Sequence, residues 1–154
     1  MTNDTKIKFA VVGAGHIGKR HAEMIRRDRE GELVAMVDIR TKEECGAQDF
    51  DVPFFNSIEE LLSSGLSFDV VNICTPNGLH AEQSLKALEA KKHVVCEKPM
   101  GLTKTSCEEI IFKALQVSRQ VFCVMQNRYS PPSEWIKSIV SEGILGDIYM
   151  VQLN

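Results

Sequence analysis

A glycine-rich stretch near the N-terminus carries the first chemical signal. Gly13-Ala14-Gly15-His16-Ile17-Gly18 matches G-x-G-x-x-G and lies between an apolar run and a helical pattern. In such a turn Gly13 permits the tight bend, Gly15 lets a pyrophosphate approach closely, and Gly18 allows the helix to contact the strand. The first amides of the following helix attract phosphate oxygens. We therefore predict a dinucleotide site that includes His16 and Ile17; the alternative is an α/β domain whose glycines only pack.

An acidic residue stands where a ribose-binding group is expected. Asp38 ends the next apolar run, twenty residues after Gly18. A carboxylate at this place accepts hydrogen bonds from the adenosine ribose hydroxyls, and its charge repels a 2′-phosphate. Arg40 lies two residues further on and would weaken that discrimination. The sequence thus favours NAD as the cofactor, with NADP as the weaker alternative.

Two further polar segments follow later apolar runs. The first is Thr75-Pro76-Asn77-Gly78-Leu79-His80. Because ligands of open parallel sheets bind beyond the carboxyl ends of the strands, we expect Thr75, Pro76 and Asn77 at the cofactor edge. His80 falls in the first turn of the next helix, where it either contacts the cofactor or packs and caps the helix.

The second polar segment, Glu97-Lys98-Pro99, contains a candidate for proton transfer. A lysine held beside a nicotinamide can take or give the proton of an alcohol while a hydride moves. Glu97 would bind a ribose hydroxyl or steady Lys98. The alternative is a solvated pair of loop charges.

Short apolar runs define the elements that must position these residues. Valine-rich runs without in/out alternation are typical of strands covered on both faces. Helical patterns fill the gaps, with Ser57 and Glu60 as a capping box and a hydroxyl cap at Thr103. The last of these helices would have an apolar face formed by Ile110, Ile111, Ala114, Leu115 and Val117. This alternation predicts an α/β fold, a Rossmann-type doubly wound parallel sheet. The predicted strands are 7–12, 33–37, 70–74, 93–96 and 121–125, and the helices are 17–27, 57–62, 79–90 and 103–118.

In two regions the alternation of strand and helix patterns is less regular. Between Asp38 and Ser57 we predict one helical turn within 41–48 and a short strand at 53–55. In the tail, Ser130-Pro131-Pro132 would end the first domain and open a helix that runs to about Glu142, with an apolar face that includes Trp135. Residues 148–153 have strand composition, and we predict the first strand of a second, substrate-binding or oligomerisation domain there. We therefore divide the chain into a dinucleotide-binding domain, 1–128, and the start of a second domain, 129–154.

Composition excludes several classes of protein. The 154 residues carry 18 Lys plus Arg against 21 Asp plus Glu, a formal net charge of -3, which argues against nucleic-acid binding. No apolar window is long enough to span a membrane. Residues 1–8 lack a signal core, so we expect a cytoplasmic protein. The five cysteines form no Cys-x-x-Cys and the four histidines no cluster, so we expect reduced thiols and no metal site.

Taken together, the three motifs resemble the glucose-fructose oxidoreductase / inositol dehydrogenase / MocA family. The resemblance implies an N-terminal dinucleotide-binding domain followed by a larger α+β domain. Residues 143–149 are similar to the segment that leads into the first strand of that second domain. It also implies NAD(P)-dependent hydride transfer at a secondary alcohol carbon of a sugar, sugar nucleotide or cyclitol. In this family pattern Lys98 is the catalytic lysine, the Lys98–Pro99 bond is cis, and the full-length protein is a homo-oligomer.

The segment Gln126-Asn127-Arg128-Tyr129 is similar to one found in UDP-N-acetylglucosamine or glucosaminuronate 3-dehydrogenases. By this resemblance Asn127 would bind the nicotinamide side or a sugar hydroxyl, and Arg128 a carboxylate or phosphate. The alternative is a polar loop that connects two domains. A competing function for the whole chain is a non-catalytic dinucleotide-binding or sensor module, which needs Gly15 and Asp38 but no positioned lysine.

Overall fold

The computed structural model describes residues 6–152, which alternate strands and helices from the first strand onward. The predicted elements up to residue 142 are present, with ends that move by one or two residues. The strands are β1 (Ile7–Val12), β2 (Gly31–Val37), β3 (Phe54–Phe55), β4 (Val70–Ile73), β5 (His93–Cys96) and β6 (Val121–Cys123), and the helices are α1 (His16–Arg27), α2 (Ile58–Ser63), α3 (His80–Glu89), α4 (Lys104–Gln116) and α5 (Pro131–Ser141).

The six strands form one parallel sheet in the order β3-β2-β1-β4-β5-β6. Chain order reverses at β1, whose neighbours β2 and β4 begin the two halves of the sheet. All carboxyl ends therefore lie along one edge, which is where doubly wound sheets bind their ligands. The prediction of a Rossmann-type sheet is confirmed.

Both faces of the sheet are buried, which explains why the strands show no polar alternation. Successive strand residues point to opposite faces. Val12 belongs to one apolar cluster, together with Leu88 of α3 and Ile110 of α4. Its neighbour Val11 belongs to the other, with Ala22 of α1. Helices on both sides thus keep a run such as Ala10-Val11-Val12 fully out of water.

The predicted caps set the helix starts. The Ser57 hydroxyl accepts a hydrogen bond from the Glu60 amide at 3.1 Å, so Ser57 is the N-cap of α2. The predicted capping box is only half formed, because the Glu60 carboxylate accepts from the Asn56 amide instead of the Ser57 amide. At α4 the Thr103 hydroxyl accepts from the Ser106 amide, and the Ser106 hydroxyl accepts from the Thr103 amide. Between β2 and β3 the chain makes successive hydrogen-bonded turns rather than one helical turn; the amide of Cys45, for example, donates to the carbonyl of Thr41 and that of Phe50 to the carbonyl of Ala47.

The structure corrects two expectations. Residues 148–152 form no strand, and Leu153 lies outside the described residues. A strand needs a partner strand, and the strands of the described chain pair with one another. In α4 the predicted apolar face is too wide: Ile110 is buried, but Leu115 is 74% exposed.

The chain divides between Val124 and Met125 into two compact units. The predicted domain boundary at residue 128 lies four residues later, inside a short 3-10 helix, Gln126–Tyr129, that opens the second unit. That unit also contains α5, which begins at Pro131 as expected. None of the described helices is long and apolar enough to cross a membrane.

Candidate functional site

The loop between β1 and α1 has a backbone conformation that requires glycine at two positions. Gly13 has φ +95°, and a Cβ there would lie 2.6 Å from the carbonyl oxygen of Cys74. A Cβ on Gly18 would lie 1.7 Å from the carbonyl oxygen of Gly13. Gly15 differs, because a Cβ there would meet no protein atom within 4 Å. The loop is therefore closed around Gly13 and Gly18 and open at Gly15.

Helix α1 begins directly behind this opening. Gly15 is its N-cap residue, and no described side chain caps it. The first turn of a helix leaves amide hydrogens without backbone partners, and the helix dipole makes this end positive. An open approach at Gly15 and uncapped amides behind it together suit a phosphate group.

Asp38 ties the end of β2 to the glycine loop. Its Oδ2 accepts a hydrogen bond from the Ala14 amide at 2.9 Å, and its Oδ1 accepts from the Arg40 amide at 3.0 Å. The Asp38 side chain is only 8% exposed. Burial raises the pKa of Asp38, but the hydrogen bonds from the Arg40 side chain and from the Arg40 and Ala14 amides outweigh it. The net pKa is therefore lowered, and the carboxylate is held ionised.

These groups line one groove of about 640 Å³. The loop, the end of β2 and the segment after β4 each contribute to its wall. Eight predicted cofactor residues line it: Gly13, Gly15, His16, Ile17, Asp38, Arg40, Thr75 and Pro76. The glycine loop and the start of α1 fit the pyrophosphate of a dinucleotide, and the buried carboxylate fits its ribose. The residues present therefore suit the cofactor that the sequence predicts.

His80 lies behind this groove and does not line it. The ring is 1% exposed at the start of α3. Its Nε2 is 2.8 Å from the carbonyl oxygen of Thr75, and its Nδ1 is 2.7 Å from that of Pro99. Of the two alternatives in the sequence, this placement favours the packing histidine, and a direct cofactor contact stays a prediction. Asn77 begins a 3-10 turn, Asn77–Leu79, and does not line the groove.

Lys98 follows β5 on an exposed turn at the same edge of the sheet. The Lys98–Pro99 bond is cis, as predicted. Glu97 precedes it, and Glu97 Oε2 accepts a hydrogen bond from the Lys98 amide at 3.2 Å. Neither residue lines the groove. Glu97 thus contacts the backbone of Lys98, while its roles towards the lysine side chain and a ribose stay predictions.

Sequence reasoning missed two residues next to this turn. His21 Nε2 lies 3.0 Å from Glu97 Oε1, and His21 Nδ1 lies 3.0 Å from Asn72 Nδ2. Asn72 is 4% exposed in the middle of β4. A polar residue inside the run Val70-Val71-Asn72-Ile73 was the available signal, because a buried amide needs a partner. The partner is 51 positions away, so the sequence alone could not name it.

Asn127 lies in the second unit, exposed in the 3-10 helix Gln126–Tyr129. Its role towards cofactor or sugar stays a prediction. All five cysteines are free thiols. Within residues 6–152 no three His, Cys, Asp or Glu side chains converge in a way that could hold a metal ion.

Comparison with known proteins identifies the family of this site. Residues 7–125 match the family described as "Oxidoreductase family, NAD-binding Rossmann fold", GFO_IDH_MocA. The chain belongs to this family. The match covers the whole sheet, the glycine loop and the Glu97-Lys98-Pro99 turn, so the resemblance carried by the motifs is confirmed for the GFO_IDH_MocA family.

Several GFO_IDH_MocA relatives are similar to most of this chain. D-glucoside 3-dehydrogenase of Escherichia coli is 30% identical over 94% of the chain and 42% of its own length. Inositol 2-dehydrogenase of Salmonella paratyphi B is 31% identical over 94% of the chain and 44% of its own length. The WlbA dehydrogenase of Bordetella pertussis, solved with NADH and UDP-GlcNAcA, has a TM-score of 0.86 and 30% identity, over 94% of this chain and 45% of that one. The chain therefore spans less than half the length of these relatives.

Proposed function

We propose that this chain is the NAD-binding part of a dehydrogenase that acts on a secondary alcohol carbon of a sugar, sugar nucleotide or cyclitol. The observation that carries the proposal is the groove in which an open Gly15, the start of α1 and the buried Asp38 carboxylate meet. When bound there, the nicotinamide cofactor would supply or accept the hydride.

Each group has a distinct task in this proposal. The amides at the start of α1 bind the pyrophosphate, and Gly15 leaves room for it. Asp38 accepts hydrogen bonds from the ribose hydroxyls, and its charge disfavours a 2′-phosphate, so we propose NAD over NADP. Lys98, on its exposed turn, takes the proton of the substrate hydroxyl during oxidation or returns it during reduction.

The substrate class rests on the relatives. D-glucoside 3-dehydrogenase and inositol 2-dehydrogenase are named for a sugar derivative and a cyclitol, and the WlbA structure holds a sugar nucleotide. All three compounds carry ring hydroxyls on secondary carbons. Because the chain covers less than half of each relative, we propose that the remaining substrate contacts come from outside residues 1–154. On this ground we expect the chain by itself to bind NAD and to turn over sugars negligibly.

Calorimetric titration of the chain with NAD and with NADP tests the proposal. We expect saturable NAD binding and weaker NADP binding, with NAD binding reduced in Asp38→Ala. Asp51→Ala serves as the control, since Asp51 is exposed and does not line the groove. Absence of NAD binding at millimolar concentration, or a clear preference for NADP, would contradict the proposal.

A non-catalytic sensor module would also bind NAD, so a second measurement separates the two functions. In a longer natural chain that contains this sequence, we expect sugar- or cyclitol-dependent NADH formation that Lys98→Met abolishes while NAD affinity stays unchanged. A sensor would bind NAD equally well before and after this substitution and would form no NADH with any of the three substrate classes.

A further inference from the structure

The turn that carries Lys98 is held on its N-terminal side by a chain of side-chain hydrogen bonds. Asn72 Nδ2 donates to His21 Nδ1 at 3.0 Å, because an amide NH2 group only donates. The hydrogen of the neutral ring then lies on Nε2, which donates to Glu97 Oε1 at 3.0 Å. The other oxygen, Glu97 Oε2, accepts from the Lys98 amide. The Glu97 and His21 side chains are 15% and 16% exposed, so water competes weakly for these bonds.

A second histidine holds the same turn on its C-terminal side. His80 Nδ1 contacts the carbonyl oxygen of Pro99 at 2.7 Å, and Nε2 contacts that of Thr75 at 2.8 Å. A carbonyl oxygen only accepts, so each contact is a hydrogen bond where the facing ring nitrogen carries the hydrogen, and a neutral ring donates to one of the two carbonyls at a time. His80 is 1% exposed, so no water would replace a lost hydrogen-bond partner, and losing one would cost free energy.

Both histidines come from elements that also form the dinucleotide groove. His21 lies on α1, whose start faces the open Gly15. His80 begins α3 and contacts Thr75, which lines the groove. Two separate routes therefore connect the groove to the backbone immediately before and after Lys98.

We propose that His21 and His80 are positioning residues that hold the Lys98 turn at a fixed position relative to the dinucleotide groove. His21 acts through Glu97 and is itself oriented by Asn72, whereas His80 acts through the carbonyl of Pro99. This inference deepens the proposed function, since it rests on Lys98 as the residue that moves the substrate proton. Neither histidine touches the reacting atoms in this scheme.

Backbone 15N relaxation of the cofactor-free chain tests the inference. In the natural chain we expect the Lys98 amide to be as ordered as a rigid backbone, with an order parameter of about 0.85. His21→Phe and His80→Phe keep an aromatic ring but remove the hydrogen bonds. In each variant we expect the Lys98 order parameter to fall below about 0.6, the flexible range. Val94 and Cys96 of β5 should keep their values, because their ladder bonds remain.

Matched variants separate positioning from general packing. His93 lies at the other end of β5, where its Nδ1 accepts from the Gln120 amide, so His93→Gln should leave Lys98 ordered. His21→Gln retains a donor for Glu97 and should restore part of the order that His21→Phe loses. Where His80→Phe fails to fold, His80→Leu removes the same hydrogen bonds with a smaller side chain, and Asn72→Leu removes the bond that orients His21.

Two results would overturn the inference. One is a Lys98 amide that stays ordered in both phenylalanine variants; the other is an equal loss of order throughout β5, which would show a general packing role. The NAD titration decides the proposed function separately, because the relaxation experiment needs no cofactor. A chain that binds NAD but keeps Lys98 ordered without either histidine would retain the function and lose this inference.

Discussion

Arg40 folds back over Asp38, with Arg40 Nε 3.1 Å from Asp38 Oδ1 and Arg40 Nη2 3.3 Å from Asp38 Oδ2. The carboxylate that should bind ribose hydroxyls thus has a cationic partner within the chain itself. The Arg40 side chain is half exposed, so it can move away at low cost, whereas Asp38 is fixed by the Ala14 amide. We therefore expect cofactor choice to depend on both residues rather than on Asp38 alone.

Asp38→Ala should weaken NAD binding and reduce the discrimination against NADP. A hydrogen bond to a charged group contributes about 1.5–3 kcal/mol, so we expect NAD affinity to fall by roughly tenfold to a hundredfold. Arg40→Ala should act in the opposite sense, lowering NADP affinity and leaving NAD affinity equal or higher. Titration of both variants with both cofactors measures this. Equal losses for NAD and NADP in Arg40→Ala would contradict the assigned role of the arginine.

Two alanine substitutions in the glycine loop should have different effects. Gly15→Ala adds a methyl group that meets no protein atom within 4 Å, so the unfolding free energy should hardly change while NAD affinity falls. Gly18→Ala places a carbon 1.7 Å from the Gly13 carbonyl oxygen, so the variant should lose stability by several kcal/mol. Urea denaturation and calorimetry separate the two effects.

Gly78→Ala is the matched control for that pair, since Gly78 also has open space around its Cβ but does not line the groove. It should change neither stability nor affinity. If Gly15→Ala behaved like this control in the NAD titration, the pyrophosphate would not lie where we place it.

The local features of this fold could be predicted from the sequence. Valine-rich strands, the glycine turn and the hydroxyl caps at Ser57 and Thr103 depend on neighbours within a few residues. Asp38 could be placed because its strand ends at the same edge as the loop. Such features need only the sequence period and the chirality of the crossover.

The missed features depend on distant neighbours. His21 reaches Glu97 across 76 positions and Asn72 across 51, and no periodicity reports such a pair. Residues 148–152 show the converse, because they have strand composition and yet form no strand, which depends on more than composition. In α4 the exposure of Leu115 likewise depends on which neighbours cover the helix, information that its own sequence lacks.

Thiol reactivity should follow burial. Cys96 is fully buried, and burial raises its pKa to about 11, so at pH 8 only about one such thiol in a thousand is ionised. Burial also raises the pKa of Cys74 strongly. Cys123 is exposed, and alkylation followed by mass spectrometry should label it long before Cys96. In urea all five thiols should react. If Cys96 were labelled as fast as Cys123 in the folded chain, Cys96 would not be buried.

The Asp38 carboxylate should make stability depend on pH on the acid side. Its pKa is lowered in the folded chain, against about 3.9 in an unfolded one. A lowered folded pKa stabilises the fold above the unfolded pKa, and the contribution is lost as the pH falls through the folded pKa.

Urea denaturation between pH 7 and pH 3 should therefore show a difference in unfolding free energy between the natural chain and Asp38→Asn that narrows below about pH 4. Asp51→Asn, at an exposed position, should run parallel to the natural chain throughout. A gap of constant size down to pH 3 would mean that the contacts from Arg40 and Ala14 do not favour the charged form, and the electrostatic account of this site would then be wrong.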